Sequence, residues 1–143
     1  MGWLGWALAS AVFAALTAIL AKVGVAGVDS NLATAVRTCV VLVFTWLMVW
    51  LNPGAGGLSG GLHGLSARNW TFLVLSGLAT GLSWLCYFRA LQLGQASRVA
   101  PVDKLSVVFA IALAALLLHE RLTWQHWVGG SLIVAGAIVM AWR

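Results

Sequence analysis

The sequence predicts an all-α fold, a polytopic membrane protein built as a bundle of five transmembrane helices, and three observations carry that prediction. Apolar stretches close to twenty residues long read 3–21, 32–51, 70–91, 99–118 and 126–142. At about 1.5 Å of rise per residue, some twenty residues cross the roughly 30 Å hydrocarbon core of a bilayer. Hydrophobic residues make up 62% of the chain and charged ones 8%, against about a quarter charged in a soluble domain. Seven of the nine tryptophans also fall at alternate ends of the stretches, as five crossings require.

Span 1 resembles a secretory leader, with Ala9-Ser10-Ala11 as a cleavage-like site. However, no Lys or Arg precedes it and the apolar run continues to Ala21, too long for a leader core. It is read as a retained span. Its small residues Ala7, Ala11, Ala14 and Ala18 recur at spacings of three and four, and Lys22 continues the stripe. Small residues let helices approach closely in a membrane, so the stripe is expected to be a packing face.

Span 2 carries Arg37 about one and a half turns from its start. Between spans 2 and 3, residues 52–69 contain six glycines (54, 56, 57, 60, 61 and 64). That composition predicts a tether without packing of its own, with a lid as the second reading. Span 3 contains Gly77-Leu78-Ala79-Thr80-Gly81, a GxxxG helix-contact spacing, and ends near Arg89. In span 4, Ala96, Ala100, Asp103, Ala110 and Ala114 share a broad face, which puts Asp103 inside the bundle and Lys104 about 100° around the helix. Pro101 in the first turn lacks an N–H and clashes with a preceding carbonyl, which can free backbone groups near Asp103. Irregular backbone is tolerated in a membrane where it lines a cavity. Gly129, Gly130 and Gly136 suit close packing of span 5.

With the N-terminus on side A, the starts of spans 1, 3 and 5 and the ends of spans 2 and 4 share that face. They hold Trp3, Trp6, Trp46, Trp50, Trp70, Trp124 and Trp127, at the headgroup level that indole rings prefer. Trp142 lies at side B, and Trp84 sits within span 3. Side B carries Lys22, Arg89, Arg98 and Arg143, with Arg37 and Lys104 deeper, whereas side A has Arg68 and Arg121. By the positive-inside rule the N-terminus is outside and the C-terminus cytoplasmic, and the modest bias leaves dual topology open.

Lys22, Arg37, Arg89, Arg98, Asp103 and Lys104 therefore form one layer in the side B third of the bilayer. Charges there are costly and usually face the bundle interior or water. Asp103 and Lys104 are read as an internal polar network, joined at similar depth by Ser106, Ser97, Thr38 and Tyr87. For Lys22, Arg89 and Arg98 the favoured alternative is that they only snorkel to the interface and set topology. Arg37, being deeper, is balanced between the two. The candidate substrate-binding or coupling residues are thus Asp103, Lys104, Arg37, Lys22, Arg89, Pro101 and Ser106.

Several other chemistries are set aside. The net charge of +5 forms no basic run of the kind that binds nucleic acid. Cys39 and Cys86, each inside a span, make neither a disulfide framework nor a metal site. Gly57-Leu58-Ser59-Gly60-Gly61 matches a nucleophile elbow formally, without the preceding strand. His119-Glu120 opens a zincin-like pattern, but Thr123 stands where the second histidine would be. No enzyme constellation, metal or cofactor is expected.

Ala90-Leu91-Gln92-Leu93-Gly94, Ala100 through Val108, His119-Glu120-Arg121-Leu122-Thr123 and Gly129 through Gly136 together resemble the EamA domain. This is the five-helix repeat of the drug/metabolite transporter superfamily. Relatives typically carry a glycine before the Glu-Arg pair, where this chain has His119. Most contain two repeats, inverted relative to one another, so the resemblance implies alternating access with a small-molecule substrate between the halves. A single repeat then implies a partner: a homodimer, with the second copy upside down, or a related half-size chain. An odd helix count makes a tandem copy inverted automatically. The reading that follows is a half-size transporter for a small metabolite or drug-like solute in the bacterial inner membrane. The alternatives are a lipid-linked substrate flippase subunit and a non-transporting membrane scaffold.

Overall fold

A computed structural model of the chain describes residues 2–51 and 64–142. Most of the glycine-rich connection, residues 52–63, lies outside the described residues. Among the described residues all regular structure is helical: α1 (Trp3–Gly24), α2 (Ser30–Leu51), α3 (Ala67–Leu93), α4 (Ala96–Asp103), α5 (Leu105–Leu117) and α6 (Trp124–Ala141). With α4 and α5 taken as one segment, Ala96–Leu117, five helical segments are long and apolar enough to cross a membrane. Their surfaces fit that solvent. Phe13, Leu20, Phe44, Leu78, Phe109 and Leu132 are all exposed, and a helix that is apolar all round is at home only in a core or in lipid.

Hydroxyls in these helices turn back on their own backbone. Thr34 Oγ1 donates to the Ser30 carbonyl at 2.7 Å and Thr38 Oγ1 to the Thr34 carbonyl at 2.7 Å. Thr45 and Thr80 do the same to Val41 and Ser76, each at 2.9 Å. This local bonding satisfies a polar group that lipid could not.

The described chain divides into two compact units, residues 24–89 and residues 1–23 with 90–143. In the first, Val25, Ser30, Thr34 and Phe88 are buried. The entry to α2 is built around Asp29, whose Oδ1 accepts from the N–H groups of Asn31 at 2.9 Å and Leu32 at 3.0 Å. That N-cap explains why the helix begins at Ser30 rather than at residue 32. Gly27, with φ at 73°, supplies the left-handed residue of the preceding turn.

In the second unit, α6 packs against both α4 and α5, and Ala18, Ala21, Leu91, Gly130 and Ala137 are buried. The small-residue stripe of α1 is buried only at its end: Ala18 is covered, while Ala7, Ala11 and Ala14 remain exposed. A Cβ at Gly77, Gly81, Gly129 or Gly136 would meet nothing within 4 Å, so these glycines make no close helix contact among the described residues. Gly94 differs. A Cβ there would lie 3.0 Å from Val99 Cγ2 and 3.3 Å from the Ala90 carbonyl oxygen. Glycine therefore lets the chain fold tightly from α3 into α4.

The fourth crossing, read as one helix over 99–118, starts earlier and is interrupted. The Lys104 N–H is shared between the Ala100 carbonyl at 3.3 Å and the Pro101 carbonyl at 3.1 Å. The Val107 N–H donates to the Lys104 carbonyl at 3.0 Å, another i to i+3 bond. The helix tightens by a turn at Lys104, three residues past a proline that cannot donate to the Ser97 carbonyl.

At the end of α5, His119 adopts φ of 54°, and the Glu120 N–H closes the turn on the Ala114 carbonyl at 3.3 Å. A left-handed residue is what a helix C-terminus commonly requires, and glycine provides it without a Cβ penalty. The histidine before Glu120-Arg121 therefore fills a glycine's conformational role. His119→Gly is expected to stabilise the protein by about 1 kcal/mol and His119→Val to destabilise it. Thermal unfolding of the detergent-solubilised protein checks both directions.

Candidate functional site

Among the polar residues expected in one layer, one arrangement forms within residues 24–89 and two within the other unit. The first belongs to Lys22. From the last turn of α1 its Nζ donates to the Leu91 carbonyl and, at 2.7 Å, to the Gly94 carbonyl. These oxygens lie where α3 ends and where no continuing helix can supply donors. A helix C-terminus also carries about half a negative charge, so an ammonium group is favoured there twice over. Lys22 makes no ion pair with Asp103. Its bonds are those of a cap, which tie the end of α1 to the bend between α3 and α4.

The second arrangement is centred on Arg37. Its guanidinium carbon lies over the Trp84 ring, 4.2 Å from the centroid, and 5.5 Å from the centroid of Phe88. Both aromatic residues are on α3, one turn apart, and Tyr87 sits edge-on to Phe88 at 6.4 Å. A cation over an aromatic face gains about 0.5–2 kcal/mol, more as it is desolvated. Trp84, which stands apart from the interfacial tryptophans, thus has a specific partner.

The third lies at the interruption of the fourth crossing. Lys104 Nζ and Asp103 Oδ2 are 3.4 Å apart, with the two side chains 58% and 37% exposed. Asp103 is therefore only partly covered rather than enclosed. An exposed pair between neighbouring residues is worth about 0–1 kcal/mol, so it is easily exchanged for another partner. Pro101 is half-buried two residues before it, Ser106 is exposed two residues beyond Lys104, and Arg89 is exposed near the end of α3.

Two features escaped the sequence reading. At the start of α6 the Thr123 N–H donates to His126 Nδ1 at 3.0 Å, and Thr123 Oγ1 lies 2.8 Å from the same nitrogen. His126 thereby takes the place of the glutamate or glutamine of a capping box; the signal was a Thr three residues before a side chain able to accept. Beside it, a groove of about 390 Å³ runs between α5 and α6, lined by Val108, Ile111, Ala112, Trp127, Gly130, Ser131 and Val134 among others. Its lining is almost wholly apolar, suited to hydrocarbon, and none of the sequence-predicted site residues reaches it. Among the described residues no group of His, Cys, Asp or Glu could hold a metal ion.

Replacing Lys22 by Met should leave two carbonyls without donors and cost about 1–3 kcal/mol for each oxygen that stays dry. Lys22→Arg, which keeps the charge and the donors, is expected to lose less. Unfolding temperatures of the three proteins in one detergent give the order, and an unchanged Lys22→Met would remove the capping role.

Comparison with known proteins identifies the family. The EamA-like transporter family matches residues 1–142. An uncharacterized transporter from Sinorhizobium sp. is 49% identical over 144 residues, covering 97% of this chain and 96% of its own. Shorter similarities join it. A probable 4-amino-4-deoxy-L-arabinose-phosphoundecaprenol flippase subunit, ArnE, of Yersinia pseudotuberculosis is 30% identical over 50% of this chain and 63% of its own. An uncharacterized protein of Methanocaldococcus jannaschii is 31% identical over 50% and 52%. No solved structure matches. With five membrane-crossing segments and a family match along almost its whole length, the chain is a multi-pass membrane protein that belongs to the EamA-like transporter family.

Proposed function

We propose that this chain is the half-size unit of a bacterial inner-membrane transporter for a small metabolite or drug-like solute, acting as a dimer by alternating access. The observation that carries the reading is the interrupted fourth crossing. Pro101, the tightened turn at Lys104 and the loosely paired Asp103 combine irregular backbone with ionisable groups on one membrane-crossing segment. Discontinuous helices of that kind form substrate and coupling sites in transporters assembled from inverted repeats. Asp103 is the coupling residue, exchanging a proton as its partner changes from Lys104 to solvent or substrate. Lys104 and Arg37 bias that exchange or contact the solute.

A second half is needed, either another copy in the opposite orientation or a related chain. The modest excess of Lys and Arg on side B supports an outside N-terminus and cytoplasmic C-terminus, and it is small enough to permit both orientations. A lipid-linked substrate flippase subunit is the second reading, favoured by the similarity to ArnE.

Cytoplasmic and periplasmic reporters fused after Arg143 test the assembly. Signal from both supports an antiparallel homodimer, whereas signal from the cytoplasmic reporter alone rejects it in favour of a partner chain or a parallel dimer. Coupling is tested separately. Asp103→Asn should abolish transport driven by a pH gradient across proteoliposomes, and undiminished gradient-driven flux would exclude Asp103 from that role.

A further inference from the structure

We propose that Arg37, seated on Trp84, is an anion subsite of this chain and takes a phosphate-class oxyanion carried by the substrate; the proposal rests on the transport reading. Charge balance is the first argument. Residues 24–89 contain one carboxylate, Asp29, and its Oδ1 is committed to the N–H groups that open α2. Among the described residues of that unit, Arg37 has aromatic contacts but neither an ion pair nor a hydrogen bond. Within that unit a guanidinium on a membrane-crossing helix thus has no carboxylate as counter-charge, which is expensive unless something else supplies one.

Its position is the second argument. Arg37 lies seven residues after Ser30, about 10 Å along the helix. An arginine that only snorkels extends towards the near end of its helix, which here would bring it to Phe88, the ring nearer the end of α3. Its guanidinium is instead closer to Trp84, at 4.2 Å against 5.5 Å for Phe88.

Chemistry selects the ligand. The aromatic contact uses the charge of the guanidinium and supplies no oxygen acceptor, whereas its five N–H donors form a fork that fits two oxygens of one phosphate or carboxylate. An arginine already held against Trp84 and Phe88 has lost some of its conformational freedom, so ordering it around an anion costs less. Arg37 is half-buried, so part of the residue remains accessible. A phosphate monoester, with more charge than a carboxylate and three acceptor oxygens, satisfies an uncompensated guanidinium best.

The test uses the purified full chain in a neutral detergent, titrated in two arms and followed by phosphorus NMR. One arm is phosphatidic acid in mixed micelles and the other is water-soluble glycerol phosphate. Arg37→Gln should weaken binding about tenfold or more, Arg37→Lys should weaken it less, and Arg98→Gln should leave it unchanged. Trp84→Phe, which keeps a ring but weakens the cation–π contact, should lose several-fold. It carries the test together with Arg37→Lys if Arg37→Gln does not fold. Arg37-dependent binding in the lipid arm alone identifies a lipid headgroup, and in both arms a phosphate as such. No binding in either arm, or equal binding by wild type, Arg37→Gln and Trp84→Phe, overturns the proposal. Phosphate binding lost to Arg37→Gln in a protein that moves no solute would keep the subsite and reject transport; solute flux without phosphate binding would do the reverse.

Discussion

A carbonyl oxygen at the end of a helix inside hydrocarbon has no water to accept from, and this requirement governs where the polar residues of the chain sit. Lys22 meets it for α3, bringing an ammonium group to the Leu91 and Gly94 oxygens. Because the donor comes from α1, the same contact that satisfies the backbone also ties two helices together. Gly94 makes the bend possible by leaving room for Val99. Other backbone groups are met locally: Asp29 accepts from N–H groups that open α2, His126 accepts from the Thr123 N–H at the start of α6, and threonine hydroxyls donate to carbonyls a turn behind. Each is a polar group spent on backbone, in a medium where an unpaired one costs several kcal/mol.

Once those duties are assigned, few charges remain for chemistry. The chain has eight Lys and Arg residues against three Asp and Glu. Asp29 is a cap, Glu120 lies in the connection after α5, and Asp103 stands alone on a membrane-crossing segment. Its partner is its own neighbour, at a distance and exposure that bind it weakly. A group meant only to hold structure would be better paired, as Lys22 is. Weak pairing beside a tightened turn is what a residue needs if it is to change partners during a cycle.

The five crossings were legible because hydropathy over twenty residues is a property of composition, independent of what each helix meets. The helix starts were read late, at 32, 70, 99 and 126, because span reading follows the apolar run and overlooks caps. Asp29 before Ser30 is a sequence signal of an N-terminus that such reading passes over. Partner assignments were not legible. Spacing placed Lys22 on a plausible inner stripe but could not distinguish a carbonyl from a carboxylate as its acceptor. Trp84 stood out as a tryptophan away from the interfaces and Arg37 as a cation away from a helix end; only folding shows that one explains the other. Pro101 announced an irregularity, whereas its expression as a shared bond at Lys104 depends on how α4 and α5 meet.

The case for a second half does not come from the apolar surface. Lipid tails are as apolar as leucine, so exposed Phe13, Leu78 or Leu116, and the groove between α5 and α6, are already in a compatible solvent. Helices associate in bilayers through close packing and through polar contacts that lipid cannot provide. Gly77 and Gly81 leave an open surface for the first. The second arises from the partly exposed Asp103 and Lys104 and from Arg37, whose needs lipid tails do not meet. If a second half faces this chain as proposed, the residues proposed to recognise a solute are also those that would gain most from it, so assembly and binding would make demands of one set of side chains.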